Sequence, residues 1–259
     1  MTVFVFDIET VPDVELGRRI YGLDGLTDKQ VGYVMQTRRR EETGSEFLSL
    51  EQQRVVAISV ALRTRDAFRV WSLGGPDAPE AELIQRFYDG IDKYTPELVS
   101  WNGCGFDLPV LHYRALRHGI VAARYWETGD EDQGFRYNNY LNRFHWRHLD
   151  LMDVLSAYQG RGRASLQHVA LLLGLPGKLG MSGDQVWDAW LDGRITEVRN
   201  YCEVDVLNTY LVYLRFEVMR GRLSREQYGV EQQRLRDVLV AQAQPHFAEF
   251  LAHWPQLTD

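Results

Sequence analysis

Residues 2–10, Thr2-Val3-Phe4-Val5-Phe6-Asp7-Ile8-Glu9-Thr10, decide the fold. The first five are β-branched or aromatic with no polar alternation, the pattern of a strand buried on both faces. Such a strand sits inside a sheet that helices cover on each side. It runs straight into two carboxylates, Asp7 and Glu9, whose i, i+2 spacing puts both on one face of the strand. Alone, that spacing carries nothing: Asp-x-Glu arises about once by chance in a chain this acidic, and Asp13/Glu15 is a second instance. Position carries more. Two carboxylates at the carboxyl end of a buried strand repel each other unless solvent or a cation screens them.

The rest of the chain follows outward from that strand. After Pro12 a polar stretch runs to about Gln53, with Arg38-Arg39-Arg40 beside Glu41-Glu42, and reads as a surface insertion with some helix. Residues 55–62 (VVAISVAL) and 68–73 read as strands, joined by a polar link short enough for an antiparallel hairpin. Residues 80–94 carry the helical stripe Leu83, Ile84, Phe87, Tyr88 and Ile91, stopped by Pro96. Residues 98–101 form another buried strand. The loop Asn102-Gly103-Cys104-Gly105-Phe106 leads from it into a helix starting at Asp107, with Pro109 in the first turn and Gly119 past the end. Residues 148–151 read as a last short strand, 153–158, 165–173 and 185–191 as helical stretches between Gly-rich turns, and 194–220 as one long helix. The remainder, Ser224 to about Trp254, is helix-compatible, as a tail that packs back or as a surface for pairing with a partner or a second copy. The expected architecture is α/β: a mixed central sheet flanked by helices over 1–220, with the insertion at 11–53 and a helical C-terminal extension over 221–259.

At 259 residues, 45% hydrophobic and 25% charged, the composition is that of a soluble globular protein with room for a sizeable core. The net charge of −7 supplies no global positive field toward nucleic acid or anionic membrane, so any such binding needs a local patch. Residues 134–163 offer one: Arg136, Arg143, Arg147, Arg161 and Arg163 against Asp150 and Asp153, interleaved with Phe135, Tyr137, Tyr140, Phe144 and Trp146. That mixture suits a single strand whose phosphates are neutralised while its bases stack; it suits equally a solvated loop over a core-facing aromatic cluster. His145 and His148 read as surface histidines, and Asp150 and Asp153 as cleft neighbours or helix caps. Cys104 and Cys202 are too few for a disulfide framework and match no zinc pattern. A reducing cytoplasm is the expected location, with no membrane association, since no apolar run approaches the ~18 residues of a membrane span.

Tyr201 and Asp205 are spaced i, i+4 on the long helix, hence on one face. That pair too arises about once by chance, as Tyr88/Asp92 shows, and Asp107 by itself is an ordinary helix-capping residue. Together they say more. Asp7-Ile8-Glu9, then Asn102-x-x-x-Phe106-Asp107, then Tyr201-x-x-x-Asp205, in that order, resembles the DEDD superfamily of 3′-5′ exonucleases with its RNase H-like fold, in the subgroup with tyrosine in the third motif. Ser165-Leu166, Leu173-Gly174-Leu175-Pro176-Gly177-Lys178 and the run from Tyr201 to Leu207 narrow the likeness to stand-alone proteins related to the proofreading exonuclease domain of family-B DNA polymerases. The likeness spans roughly 2–216.

The resemblance implies a phosphodiesterase using two divalent cations, Mg²⁺ or Mn²⁺, ions that favour oxygen ligands. It implies that Asp7, Glu9 and Asp205 hold the ion that activates water, that Asp7 bridges to a second ion, and that Asp107 supports that second ion. Tyr201 would orient the attacking water, because an ordinary tyrosine is a poor base at neutral pH. Thr10, Asn102 and Phe106 would hold the 3′-terminal nucleotide, Phe106 having a core position as its plain alternative, and Lys178 would contact a phosphate. The implied substrate is single-stranded nucleic acid with a free 3′ hydroxyl, DNA ahead of RNA, as in proofreading in trans or repair. A Rossmann fingerprint at Gly103-x-Gly105 fails at Leu108 and at Asp107, and Gly177-Lys178 lacks the rest of a P-loop. The open alternatives are a 3′-5′ exoribonuclease of the same fold and an inactive nucleic-acid-binding or scaffold protein.

Overall fold

A computed structural model describes residues 2–255; Met1 and residues 256–259, the end of the expected C-terminal extension, lie outside the described residues. The strand that opens the chain, β1 (Val3–Pro12), is longer than its apolar run, because Asp7–Pro12 continue to pair with β2 (Gln53–Arg63) from Asp7↔Ser59 to Pro12↔Gln53. β2 turns back into β3 (Phe68–Ser72), the expected antiparallel hairpin. On its other side β1 pairs in parallel with β4 (Glu97–Ser100), only from Val3↔Glu97 to Val5↔Val99, and β4 pairs in parallel with β5 (His148–Asp150). The order of the five strands is β3-β2-β1-β4-β5, so β1 is central and mixed, the arrangement of the RNase H-like fold. Because β1 outlasts β4, its carboxyl half borders a crevice where a parallel partner would otherwise lie, the place where open α/β sheets bind ligands.

The alternation of β1 explains its composition. Phe4, Phe6 and Ile8 face a core shared with α3 (Glu80–Tyr94) and α4 (Asp107–His118), through Ile84, Phe87, Ile91 and Leu111. Val3 and Val5 face the opposite core. There they meet α9 (Ile195–Met219), whose buried residues include Val206, Leu207 and Leu211. Fully burying one such side chain is worth roughly 1.5–3 kcal/mol, which is why both faces must be apolar. The end of α4 falls at its expected signal: Gly119, at φ 65°, closes the helix and donates to Ala115 and Leu116 carbonyls. The stretch between β1 and β2 holds α1 (Val14–Tyr21) and α2 (Asp28–Thr43), around a small core of Val14, Val31, Met35 and Leu48.

The later helices are α5 (Ala123–Trp126), α6 (Leu151–Leu155), α7 (Leu166–Leu172), α8 (Val186–Leu191), α10 (Arg225–Gln242) and α11 (Pro245–His253). α6 starts two residues ahead of the expected stretch, because the Asp150 carboxylate accepts from the backbone N–H of both Met152 and Asp153. α10 and α11 fold back onto the α9 face, burying Leu235, Leu239, Phe247 and Phe250 in the same core as Val5, while Val230 and Val240 stay exposed. A two-pronged contact, Arg63 to Glu231 with both distances 2.6 Å, ties β2 to α10. Among the described residues no helix is long and apolar enough to cross a membrane.

Candidate active site

The strand alternation that sends Val3 and Val5 toward α9 sends Asp7 and Glu9 there too. On the facing side, α9 presents Tyr201, Cys202 and Asp205, all at 5% exposure or less. Asp107 arrives from the other side of the sheet. It opens α4, yet its side chain caps no N–H of the following turn; instead its Oδ1 accepts from the Ile8 backbone N–H at 3.2 Å, beyond the last β1–β4 pair. The simple helix-capping reading of Asp107 is thereby replaced by a bond to β1. The three sequence motifs therefore meet at one point, with the carboxylates of Asp7, Glu9, Asp107 and Asp205 close enough to perturb one another.

That proximity is expensive for charge. Burial, then the charges of Asp107, Glu9 and Asp205, push the Asp7 carboxyl well above its ordinary range, with Lys178 opposing. Burial and Asp205 do the same to Glu9. Asp107 is pushed up to about 7 by burial and then by Asp150, against the opposing bonds from backbone N–H groups. Asp205 is raised by burial despite the Lys178 ammonium, whose Nζ lies 3.3 Å from Asp205 Oδ2 and donates to the Tyr201 hydroxyl. Asp205 Oδ1 is buried and has no hydrogen-bond partner among the described residues. Burial, then Asp205, Glu9 and Asp7, push the Tyr201 phenol far above its usual value, so it stays protonated. Lys178, expected as a phosphate contact, thus stands within the acidic cluster.

Thr10 and Phe106 line a cavity of about 490 Å³ together with Ile8, Glu9, Phe47 and Trp187. Phe106 is half-buried rather than in the core, its ring 5.4 Å from that of Phe47, which is 59% exposed. The Thr10 hydroxyl donates to Gln53 Oε1 at 2.9 Å. Asn102 stands outside that lining, at a left-handed φ of 66° that starts the loop before α4. Its carbonyl accepts from Gly105 and Phe106, and its side chain covers Gly105 so closely that a Cβ there would lie 2.5 Å from Asn102 Oδ1. The loop is fixed from β5: Asp150 accepts from the N–H of Asn102 at 3.0 Å and of Cys104 at 2.9 Å.

His148 is not a surface residue. It is 3% exposed, its Nε2 2.8 Å from Ser100 Oγ, because β5 places it inside the sheet; His145 too departs from the surface expectation, half-buried with its Nδ1 accepting from the Asn139 backbone N–H at 2.9 Å. The Arg-rich segment divides. Phe135 and Tyr140 are core residues, whereas Tyr137, Phe144 and Trp146 are exposed. Arg143 and Arg163 both bind the buried Asp153 carboxylate, at 2.7 and 2.8 Å, and Arg147 lies over the Phe135 ring. Arg161 has no hydrogen-bond partner among the described residues. Sequence reasoning passed over Cys202 and Phe47. Cys202 was accessible to it, being i, i+3 from Asp205 on one helix face. Phe47 carried only the weak signal of an aromatic residue in a polar stretch.

No curated protein matches the chain. Among solved structures it is similar to the family B DNA polymerase from the hyperthermophilic archaeon Pyrobaculum calidifontis, at 20% identity over 81% of this chain and 24% of that one, with a TM-score of 0.48. The chain therefore spans about a quarter of that polymerase. Residues 45–254 match the family described as "Predicted 3'-5' exonuclease related to the exonuclease domain of PolB", a span that holds Asp107, Tyr201 and Asp205 and begins after Asp7 and Glu9. With well over half of its length in that match, the chain belongs to this family of predicted 3′-5′ exonucleases related to the exonuclease domain of PolB.

Proposed function

We propose that the protein hydrolyses the phosphodiester bond at the 3′ end of single-stranded DNA, releasing nucleoside 5′-monophosphates, with two Mg²⁺ or Mn²⁺ ions. The observation that carries this reading is the convergence of Asp7, Glu9, Asp107 and Asp205 from three separate elements beside Tyr201. The donor set fits a hard divalent cation. Its charged donors are carboxylate oxygens, their mutual repulsion is unrelieved except by Lys178, and Asp205 Oδ1 is buried without a partner. Asp7, Glu9 and Asp205 would hold one ion, and Asp7 and Asp107 the second. Such a pair of ions supplies hydroxide at neutral pH and neutralises charge on the attacking and leaving oxygens.

The chain's own groups do the rest. Tyr201, held as a phenol, donates a hydrogen bond and so orients water rather than abstracting its proton. Phe106 and Phe47 would flank the terminal base, with Thr10 and Asn102 on its sugar and Lys178 on a phosphate oxygen. Ile8, packed in the core beneath, keeps the two β1 carboxylates in register with Asp107.

The test is a gel assay with 5′-labelled single-stranded DNA and RNA, with Mg²⁺ or Mn²⁺ against EDTA, and with Asp7→Ala as the control. A metal-dependent ladder shortening from the 3′ end and absent in the variant is the expected result, DNA being cut faster than RNA. Faster cleavage of RNA would make the protein an exoribonuclease. Binding of either strand without cleavage would identify a non-catalytic nucleic-acid-binding protein.

A further inference from the structure

One group in the acidic cluster has the wrong chemistry for Mg²⁺. Cys202 Sγ lies 3.5 Å from Asp7 Oδ2 and 3.4 Å from the Asp7 carbonyl oxygen. Ligand atoms of Asp7, Glu9 and Cys202 all fall within 4.8 Å of one another. The thiol is fully buried and shares a helix face with Asp205, whose unpartnered Oδ1 belongs to the same cluster. Sulfur is a soft donor that Mg²⁺ and Mn²⁺ neglect and Zn²⁺ favours.

We propose that Cys202, Asp7 and Glu9 form a thiolate–carboxylate site that takes a thiophilic divalent cation, Zn²⁺ above all, in place of the Mg²⁺ or Mn²⁺ used for turnover. The proposal rests on the reading of Asp7 and Glu9 as cation-holding groups. The Cys202–Asp7 distance suits it: with Zn–S about 2.3 Å and Zn–O about 2.1 Å, the 3.5 Å separation of Cys202 Sγ from Asp7 Oδ2 subtends an angle of about 105° at the ion, close to tetrahedral. On binding, the thiol becomes a thiolate bonded to the ion and its proton leaves to solvent, so no oxidant or reductant is needed. Zn²⁺ so held occupies the Asp7 carboxylate in a tetrahedral set, and the protein in that state is inhibited.

Cys104 is the other cysteine of the sequence, so each thiol can be left alone in turn. Co²⁺ serves as the spectroscopic stand-in for Zn²⁺, and Mn²⁺ binding is followed by electron paramagnetic resonance. In Cys104→Ser, Co²⁺ is expected to give a thiolate-to-cobalt charge-transfer band that Zn²⁺ removes. In Cys202→Ser the band should be absent, and Zn²⁺ should bind at least about tenfold more weakly, with Mn²⁺ affected far less. A Cys104→Ser protein that binds Mn²⁺ but shows no band overturns the proposal, and that result does not depend on the folding of Cys202→Ser. Failure to bind Mn²⁺ as well overturns the cation reading of the whole site.

Discussion

The Ile8 backbone N–H, placed between the two carboxylates of β1, donates to Asp107 Oδ1 at 3.2 Å. A helix on one side of the sheet is thus tied to the strand whose carboxylates face the other side. The Asp107→Asn variant separates the two roles of this side chain, since an amide oxygen still accepts from Ile8 while the negative charge is gone. We expect cleavage to fall by about a hundredfold or more, the scale seen when a charge-stabilising group is removed, with the fold intact. Stability in EDTA carries a sign. The Asp107 carboxyl is raised to about 7 in the folded protein against about 4 unfolded, so the folded state holds more protons between those values and loses stability as pH rises through them. Asp107→Asn should therefore gain stability over wild type from about pH 4 to 7, measured by urea unfolding. A variant that loses stability across that range would refute the electrostatic account.

Tyr201→Phe removes only a hydroxyl. Because the phenol stays protonated, its contribution is a donated hydrogen bond. The variant should lose about 10² to 10³ in kcat with little change in KM, and its pH–rate profile should keep the wild-type shape. A profile that loses its rise with increasing pH would instead make Tyr201 the proton acceptor. Single-turnover cleavage of a labelled oligonucleotide across pH decides between them.

Arg114 holds the carboxyl end of β1 against the helices. Its Nη1 lies 2.5 Å from Asp13 Oδ2, and its Nε and Nη2 lie 2.7 and 2.5 Å from the two oxygens of Glu80, which also accepts the Val55 N–H. All three side chains are at 6% exposure or less. Arg114→Met leaves Asp13 with Arg117 at 3.4 Å and Glu80 with His118 at 2.9 Å, and should cost about 3 kcal/mol, the low end for breaking a buried ion pair. Burial pushes the Asp13 carboxyl up, but the Arg114 and Leu16 hydrogen bonds and the nearby arginine charges bring it below its ordinary value. A depressed carboxylate stabilises the fold above its unfolded pKa of about 3.9 and loses that contribution as pH falls through the folded value. Asp13→Asn should accordingly be less stable than wild type at pH 7, with the gap closing below about pH 4. Urea titrations at both pH values test this, and a gap that widens in acid would contradict it.

Regular elements were legible because their signals are local. The run from Thr2 to Phe6 has one reading, the stripe of α3 has one period, and Gly119 ends α4 where a left-handed residue is needed. The candidate site was legible through the order of three motifs and the family resemblance they carry: i, i+2 on a strand and i, i+4 on a helix each fix a face, but each pair alone arises about once by chance. What remained hidden depends on contacts between distant segments. The short strand at 148–151 is legible, but nothing near His148 in sequence announces that it lies beside β4 and buries the imidazole against Ser100. Lys178 reads as a phosphate-contact candidate in a Gly-rich turn, and only the approach of that turn to α9 sets its ammonium on Tyr201 and Asp205. Asp107 misleads in the opposite sense, since a capping position describes where it stands and not what it binds.

Phe47 tests how far the long connection between β1 and β2 takes part in binding. It belongs to a polar stretch, yet its ring lies 5.4 Å from Phe106 beside Glu9 and Thr10. The Phe47 side chain is 59% exposed over this cavity, so one face of its ring is free to stack with a base. A terminal base stacked there would be worth about 1–3 kcal/mol, so Phe47→Ala and Phe106→Ala should each raise KM by about 5- to 100-fold. The effect on kcat should be smaller, because neither ring carries a group that holds an ion or moves a proton. Since the two rings touch one another, the double variant should cost less than the sum of the singles. Steady-state kinetics on oligonucleotides differing in the terminal base provide the check. Strictly additive effects, or a Phe47→Ala protein with unchanged KM, would show that the 3′ end binds elsewhere and that Phe47 merely packs on Phe106.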